Sequence, residues 1–307
     1  MAEKPATTGL STVSIIRRMS YYKVLGLEVE PFSTSPDPMF FYESGGHKLA
    51  LTNLIIELRL RRGLSVILGD VGTGKTTLGR KLIQALSLRE GFVFHIILDP
   101  TYEDERAFFS SLARTFGITI PADSNVSEIK ESIQDFLFQK AGKENKTVVL
   151  IIDEAQKLSE ISLEVLRVLL NYETNSAKLL QLIILGQLEL HAKIVNIPNL
   201  IDRVSFKYTL NPFDQDEITE MINFRLRQAG YKLNRSLFTE DAVKEIYRYS
   251  HGYPRQVALL CHKALKNLVM NNKMVVDNRI MKEIVDEEAR NGWHFSERIM
   301  SPQRRTF

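Results

Sequence analysis

Residues 64–77 read LSVILGDVGTGKTT, and this stretch decides the fold. The first part, Leu64 to Leu68, is apolar and predicts a buried strand. The second part, residues 69–76, matches the P-loop pattern G-x-x-x-x-G-K-[ST] at every fixed position. Residues 76–86 are predicted to form the helix that follows. Glycines let successive backbone N–H groups face a phosphate chain, and the helix start adds the positive end of its dipole. The stretch therefore predicts a nucleotide phosphate site; a chance glycine turn is the alternative.

Two residues of the loop have expected ligands. Lys75 is expected to reach the β and γ phosphates of ATP, and the Thr76 hydroxyl is expected to bind Mg²⁺, which prefers hard oxygen ligands. The predicted nucleotide-binding residues in this stretch are Gly69, Asp70, Val71, Gly72, Thr73, Gly74, Lys75, Thr76 and Thr77.

A second motif, VVLIIDE at residues 148–154, places two carboxylates after an apolar run. In open α/β sheets, ligands bind at the carboxyl ends of the strands. We expect Asp153 to hold Mg²⁺ and Glu154 to orient the attacking water. The alternative is that the Asp-Glu pair only caps a helix.

The rest of the chain repeats this strand and helix alternation and then changes. Apolar strands alternating with helices indicate a mostly parallel sheet covered on both faces, an α/β fold. After Pro212 only helical patterns remain, which predicts a small all-helical domain. The other predicted strands span residues 92–98, 147–152, 180–185 and 204–210, and the predicted helices span residues 47–62, 103–116, 126–139, 163–172, 214–229, 239–250, 254–270 and 277–289.

The composition of the chain indicates a globular protein without a membrane span. With 307 residues, of which 44% are hydrophobic, the chain can bury two cores. It lacks the run of roughly 18 apolar residues that a membrane span needs, and we expect no integral membrane segment. The single cysteine, Cys261, fits a reducing cytoplasm. The formal charge of +3 is too mild to indicate nucleic acid by itself.

The P-loop, the Asp-Glu strand and the appended helical domain together resemble an AAA+ ATPase. Further motifs lie in order along the chain: Tyr22 to Gly26, Pro31-Phe32, Pro36-Asp37-Pro38, Gly72 to Thr77, Asp153-Glu154-Ala155-Gln156, Leu185-Gly186-Gln187 and Gly252-Tyr253-Pro254-Arg255. With these motifs the sequence resembles the ExeA/GspA family, which is itself similar to the ATPases of Tn7-like and Mu-like transposons. The resemblance covers residues 21–285. It implies a P-loop AAA+ parallel sheet sandwiched by helices and followed by a helical lid.

The resemblance also implies roles for three further residues. Gln187 corresponds to the sensor 1 residue that helps to position water, with a helix cap as the alternative. Arg255 corresponds to the sensor 2 residue that reaches the γ phosphate, with a solvated helix start as the alternative. Arg203 corresponds to an arginine finger that enters the neighbouring subunit's site, with a surface salt bridge as the alternative. The expected catalytic residues are Lys75, Glu154, Gln187 and Arg203.

The domain boundaries expected from the resemblance divide the chain into four parts. These are an N-terminal extension (1–20), a nucleotide-binding domain (21–210), a lid (211–285) and a tail (286–307). The aromatic segment from Tyr21 to Tyr42 is expected to contribute to the adenine pocket, with Phe32 or a neighbour either on the purine or in the core.

The resemblance implies a homo-oligomeric ring or spiral that hydrolyses ATP between subunits to assemble or remodel a protein complex of the secretion or pilus type. The alternative is a transposition-type regulator that binds DNA and recruits a transposase, with Arg59, Arg61, Arg62, Lys140 and Lys143 as candidate DNA contacts. Full-length secretion relatives continue into a membrane span and a peptidoglycan-binding domain. We expect a cytoplasmic protein, for which a role at the inner membrane would need a partner or the short basic tail, Arg304-Arg305.

Overall fold

The computed structural model describes residues 20–87, 91–174, 177–233 and 235–291. The predicted extension (1–20), apart from Ser20, and the tail beyond residue 291 lie outside the described residues. The chain divides into two compact units. One is Glu43–Asn211, and the other combines the described parts of Met1–Tyr42 and Pro212–Phe307.

The strands are β1 (Leu64–Gly69), β2 (Phe92–Ile97), β3 (Thr147–Ile152), β4 (Leu180–Gly186) and β5 (Val204–Leu210). The helices are α1 (Tyr21–Val24), α2 (Gly45–Leu60), α3 (Lys75–Ser87), α4 (Glu105–Thr115), α5 (Val126–Leu137), α6 (Glu160–Leu169), α7 (Leu190–Val195), α8 (Pro198–Ile201), α9 (Gln215–Gln228), α10 (Glu240–Ser250), α11 (Pro254–Met270) and α12 (Asn278–Arg290). Short 3-10 turns span Pro38–Phe40 and Ala155–Lys157, and a π turn spans Phe138–Lys143.

The sheet confirms the predicted parallel α/β architecture. Its strand order is β2-β3-β4-β1-β5, and every neighbouring pair is parallel. The three central strands are buried along their whole length, as expected for apolar runs covered on both faces. Because all strands run the same way, their carboxyl ends meet at one edge, which we call the carboxyl edge; the opposite edge is the amino edge.

Polar caps set where several helices begin. The Ser159 hydroxyl accepts a hydrogen bond from the Ser162 N–H, so α6 begins at Glu160, three residues before the predicted start at residue 163. Asn125 and Glu128 form a capping box at the start of α5. Helices α7 and α8 were not predicted, because six and four residues are too few to show a helical period.

The helical unit has its own core, and the N-terminal segment belongs to it. Leu27, Phe32 and Phe40 pack into the cluster formed by α9 to α12. The Glu28 N–H donates to the Ala229 carbonyl at 2.7 Å. Residues 21–42 therefore lie with the helices and not, as the predicted boundary has it, with the sheet. Among the described residues, no helix is both long enough and apolar enough to cross a membrane.

Candidate nucleotide site at the carboxyl edge

The loop between β1 and α3 has the backbone that a phosphate cradle needs. Gly72 and Gly74 have φ values of 87° and 98°, which residues with a Cβ rarely adopt. Between them, the Thr73 hydroxyl donates to the Asp70 carbonyl at 2.8 Å, and the Thr73 N–H donates to the same oxygen at 3.3 Å. The loop is therefore folded back on itself directly before the first turn of α3.

Lys75 lies under this loop. Its side chain is buried, and its ammonium donates to the carbonyl oxygens of Gly69 at 2.7 Å and Asp70 at 2.9 Å. Burial lowers the pKa of the Lys75 ammonium, while the carboxylates of Glu154 and Asp153 act in the opposite direction. A cation is thus held where the loop and the helix start both favour an anion.

The two predicted magnesium ligands are in direct contact. Asp153 follows the buried strand β3 and is itself buried. Its Oδ2 accepts a hydrogen bond from the Thr76 hydroxyl at 2.6 Å, and its Oδ1 accepts one from the Glu154 N–H at 2.9 Å. A carboxylate and a hydroxyl side by side are hard oxygen donors, the chemistry that Mg²⁺ prefers. These residues therefore fit the predicted ion.

Glu154 is held by a residue to which the sequence motif alone gave no role. The backbone of Glu154 is left-handed, with φ 50° and ψ 34°. The side-chain amide of Gln156 donates to Glu154 Oε2 at 2.7 Å, and its Oε1 accepts from the Gln187 N–H at 3.1 Å. Gln156 thus bridges the carboxylate to the end of β4. The sequence signal for it is its place in the motif Asp153-Glu154-Ala155-Gln156, which by itself assigns no task to Gln156.

The strand order brings Gln187 to the same edge. Strand β4 lies between β3, which carries Asp153, and β1, which carries the P-loop. Gly186, the last residue of β4, is level with Leu68 near the end of β1. Gln187, directly after it, is half-buried. Sequence reasoning therefore placed the residues of the P-loop, Asp153, Glu154 and Gln187 at one edge, and the structure brings them together there.

Arg203 lies at the opposite edge. It immediately precedes β5, whose first residue, Val204, is level with Leu64, the first residue of β1. The P-loop begins at the other end of β1, five residue steps or about 17 Å away. The Arg203 Nε is buried and has no hydrogen-bond partner among the described residues. The predicted finger is therefore remote from the P-loop of its own chain.

The surroundings of Arg203 are partly acidic. The hydrogen bond from Lys178 holds the pKa of Glu173 below its usual range, and the charges of Lys178 and, to a smaller extent, Arg203 act in the same direction. Glu173 forms its ion pair with Lys178, and Arg203 forms none with any residue that the structure describes. The predicted alternative of a surface salt bridge therefore finds no partner in the described part of the chain.

In the helical unit, two predicted positions can be located. Arg255 is exposed in the first turn of α11, directly after Pro254. Phe32 is only 1% exposed and packs edge-to-face on Phe238, with 6.2 Å between ring centroids. Of the two environments expected for Phe32, the purine face and the core, the structure shows the core.

Two of the candidate DNA contacts are engaged within the chain. Arg61 donates to the Thr147 hydroxyl at 3.2 Å and to the Asn145 carbonyl at 2.8 Å. The Lys140 ammonium pairs with Glu144 at 2.9 Å. Both side chains thus have local structural partners at the amino edge, where β3 begins.

Comparison with known proteins supports the resemblance to AAA+ ATPases. Residues 58–194 match the AAA domain family. The chain is 34% identical over 247 residues to General secretion pathway protein A of Aeromonas hydrophila; the match covers 80% of this chain and 44% of that protein. The chain thus spans less than half of that relative's length.

Solved structures show the same fold at low identity. The Aeropyrum pernix ORC2 protein in ADPNP–ADP complexes has a TM-score of 0.59 at 15% identity, covering 81% of this chain and 71% of that chain. The Thermotoga maritima RuvB Holliday junction branch migration motor has a TM-score of 0.55 at 14% identity, covering 81% and 73%. Identities this low establish the architecture and leave the partners of each protein to be determined separately.

Proposed function

We propose that this chain is an AAA+ ATPase of the GspA/ExeA type, which binds ATP with Mg²⁺ at the P-loop and hydrolyses it. Its similarity to the AAA domain family over residues 58–194 and to General secretion pathway protein A supports this assignment. The observation that carries the proposal is the contact between Thr76 and Asp153 at 2.6 Å, with Glu154 next in the chain. It joins the residue that follows the P-loop lysine to the carboxylate at the end of β3. Phosphoryl transfer needs this combination of a phosphate cradle, a metal site and a group that positions water.

Each residue has a defined task in this proposal. Thr76 and Asp153 would hold Mg²⁺, which neutralises phosphate charge when bound. Lys75 binds the β and γ phosphates. Glu154 orients and polarises the attacking water, and Gln156 and Gln187 fix the position of Glu154 and of that water. Arg255 is assigned the sensor 2 role, a contact with the γ phosphate.

The proposal includes a ring or spiral of identical subunits. Arg203 is about 17 Å from the start of its own P-loop along β1. Arg203 can therefore stabilise the transition state only in the site of a second copy, which it reaches through a repeated head-to-tail contact.

The likeness to General secretion pathway protein A supports a task in assembling or remodelling a protein complex of the secretion or pilus type. We propose that the protein acts in the cytoplasm and reaches the inner membrane through that complex. A DNA-binding regulator of transposition is the weaker candidate, because Arg61 and Lys140 already have partners within the chain. ATP-stimulated, salt-sensitive binding of duplex DNA would favour it.

Phosphate release by the wild-type protein and the Glu154→Gln variant tests the proposal. The variant is expected to bind ATP as the wild type does and to turn it over at least about 100-fold more slowly, because the amide cannot polarise water. The control is Glu131→Gln, which makes the same change at an exposed position on α5. Wild-type turnover by Glu154→Gln, or no Mg²⁺-dependent ATP binding by the wild type, would contradict it.

A further inference from the structure

A buried histidine that belongs to none of the motifs described above contacts the P-loop. His47 is the third residue of α2, and its side chain is 1% exposed. One ring nitrogen, Nε2, lies 2.9 Å from the Thr73 carbonyl oxygen. The other, Nδ1, lies 2.9 Å from the Ser44 hydroxyl. The ring therefore connects the N-cap of α2 to the middle of the phosphate loop.

The chemistry of the partners fixes the proton on this ring. A carbonyl oxygen only accepts, so Nε2 must carry the hydrogen and donate to Thr73. Nδ1 is then an acceptor, and the Ser44 hydroxyl donates to it. Burial lowers the pKa of His47, with the Thr73 carbonyl and Glu43 acting in the opposite direction, which keeps the ring in this neutral form.

The orientation of the Thr73 carbonyl, which His47 holds, affects phosphate binding. A P-loop binds phosphate through backbone N–H groups that point inward, so the carbonyls of the same peptides must point elsewhere. The Thr73 carbonyl lies between the two positive-φ glycines, Gly72 and Gly74, where the peptide can rotate most easily. The Thr73 N–H and hydroxyl are both bound to Asp70. The hydrogen bond from His47 fixes the remaining polar group of this residue.

We propose that His47 is a positioning residue of the P-loop, which holds the Thr73 carbonyl toward α2 so that the loop is preorganised for the phosphates of a nucleotide. The inference rests on the proposed nucleotide site. It adds to that site a residue 26 positions before Thr73 in the chain. The effect is on binding, because the atom that His47 holds belongs to the loop that would bind the phosphates.

Two variants that differ only in reach test this role. In His47→Gln, the amide nitrogen of the new side chain falls near the position of the imidazole Nε2, whereas the shorter amide in His47→Asn falls near Nδ1. His47→Gln is expected to retain the affinity for ADP within about twofold. His47→Asn should lose about 3- to 10-fold, the equivalent of one hydrogen bond. Calorimetric titration with ADP and Mg²⁺ measures both.

A second measurement separates positioning from folding. At saturating ATP, kcat of His47→Asn should stay within about twofold of the wild type while KM rises. A variant that is merely partly unfolded would instead lose kcat in proportion to its folded fraction. If His47→Asn does not fold, Ser44→Ala should still raise KM, because it keeps the imidazole donor and removes the hydroxyl that both orients the ring and caps α2.

The outcomes are distinct. Equal ADP affinities for folded His47→Gln, His47→Asn and wild type would overturn the positioning role while leaving the proposed function intact. Failure of the wild type to bind ADP or ATP would instead overturn the proposed function, and the inference with it.

Discussion

The two edges of the sheet use their polar side chains differently. At the carboxyl edge, polar side chains have partners within the chain: Lys75 donates to the Gly69 carbonyl, Thr76 donates to Asp153, and Glu154 accepts from Gln156. At the amino edge, Arg203 has a buried Nε with no partner among the described residues. In the proposed function, each subunit therefore assembles almost all of its phosphate site by itself, and Arg203 lies too far away to complete that site. We interpret this asymmetry as the origin of the proposed assembly.

The largest expected effect follows from removing the cation at the carboxyl edge. Lys75→Ala deletes the ammonium that lies under the loop, and kcat/KM for ATP should fall by about 10⁴-fold through lost phosphate binding and lost transition-state stabilisation. The control is Lys81→Ala on the same helix, which removes a partly exposed lysine paired with Glu43 at 3.5 Å. Lys81→Ala should hydrolyse ATP normally. Calorimetry measures ATP binding and phosphate release measures turnover, both at matched protein concentrations. If Lys75→Ala still bound ATP tightly, the phosphate-binding role of Lys75 would be contradicted.

The next effect concerns the amino edge. Arg203→Ala should reduce the assembled protein's turnover by about 10³-fold, the order of effect of an arginine finger, with ATP affinity unchanged. Loss of ATP affinity would show instead that Arg203 supports its own subunit.

Mixing two inactive variants tests the same role of Arg203, and a folding defect in either variant could not produce the expected result. Arg203→Ala and Glu154→Gln are each inactive alone in this scheme. In mixed assemblies, an intact P-loop and Glu154 from one copy can meet an intact Arg203 from another. Turnover should therefore reappear on mixing and pass through a maximum near equal amounts. No recovery at any ratio, in assemblies shown to be mixed, would contradict a finger acting between copies.

A smaller effect is expected at the link between β3 and β4. Gln156→Leu keeps the approximate size of the side chain and removes the donor to Glu154, so turnover should fall about 10-fold with ATP binding retained. Gln139 provides a matched control, since its amide also donates to a glutamate, Glu144, at 3.5 Å but on the exposed π turn. Gln139→Leu should have no effect on turnover. Equal activity of the two leucine variants would remove Gln156 from the site.

How much of this arrangement could be predicted from the sequence depends on how local each feature is. The apolar runs of β3 and β4 allow only buried strands, and the P-loop is contiguous, so both were predicted within one or two residues. The segment containing Phe32 was assigned to the wrong core because its aromatic and proline composition specifies burial and not the surface against which it packs.

The roles of Gln156 and His47 could not be predicted for a related reason. Gln156 acquires its role only because β4 lies beside β3, which places the Gln187 N–H within 3.1 Å of it. His47 lies 26 residues before Thr73, and only the packing of α2 beside the loop joins them. In each case the local sequence shows a polar residue, and the contact that matters comes from tertiary structure.

The neutral state of His47 predicts a pH dependence of stability. Burial lowers its pKa in the folded protein, whereas the unfolded chain takes up a proton near pH 6.5. As the pH falls below about 6.5, the unfolded state gains protons that the folded state does not, so the free energy of unfolding should fall. The wild type should lose up to about 1.4 kcal/mol per pH unit more than His47→Gln. Glu43, the charged group that acts on His47, is common to both proteins. Urea unfolding from pH 7.5 to 5.5 measures the two slopes, and parallel slopes would contradict a neutral buried ring.

The smallest effect is expected for Arg61, a second cation at the amino edge. Its removal tests whether the role proposed for Arg203 is specific to that residue. Arg61 lies at this edge, and both of its described hydrogen bonds go to its own chain, to the Thr147 hydroxyl and the Asn145 carbonyl. Arg61→Ala should therefore lower the free energy of unfolding by about 1 kcal/mol and leave turnover and its dependence on protein concentration unchanged. The alanine also carries a Cβ at the left-handed φ of 50°, so the variant changes contacts and not backbone strain. If Arg61→Ala lowered turnover as Arg203→Ala does, the amino edge would act as a cationic surface, and the role proposed for Arg203 would not be specific to it.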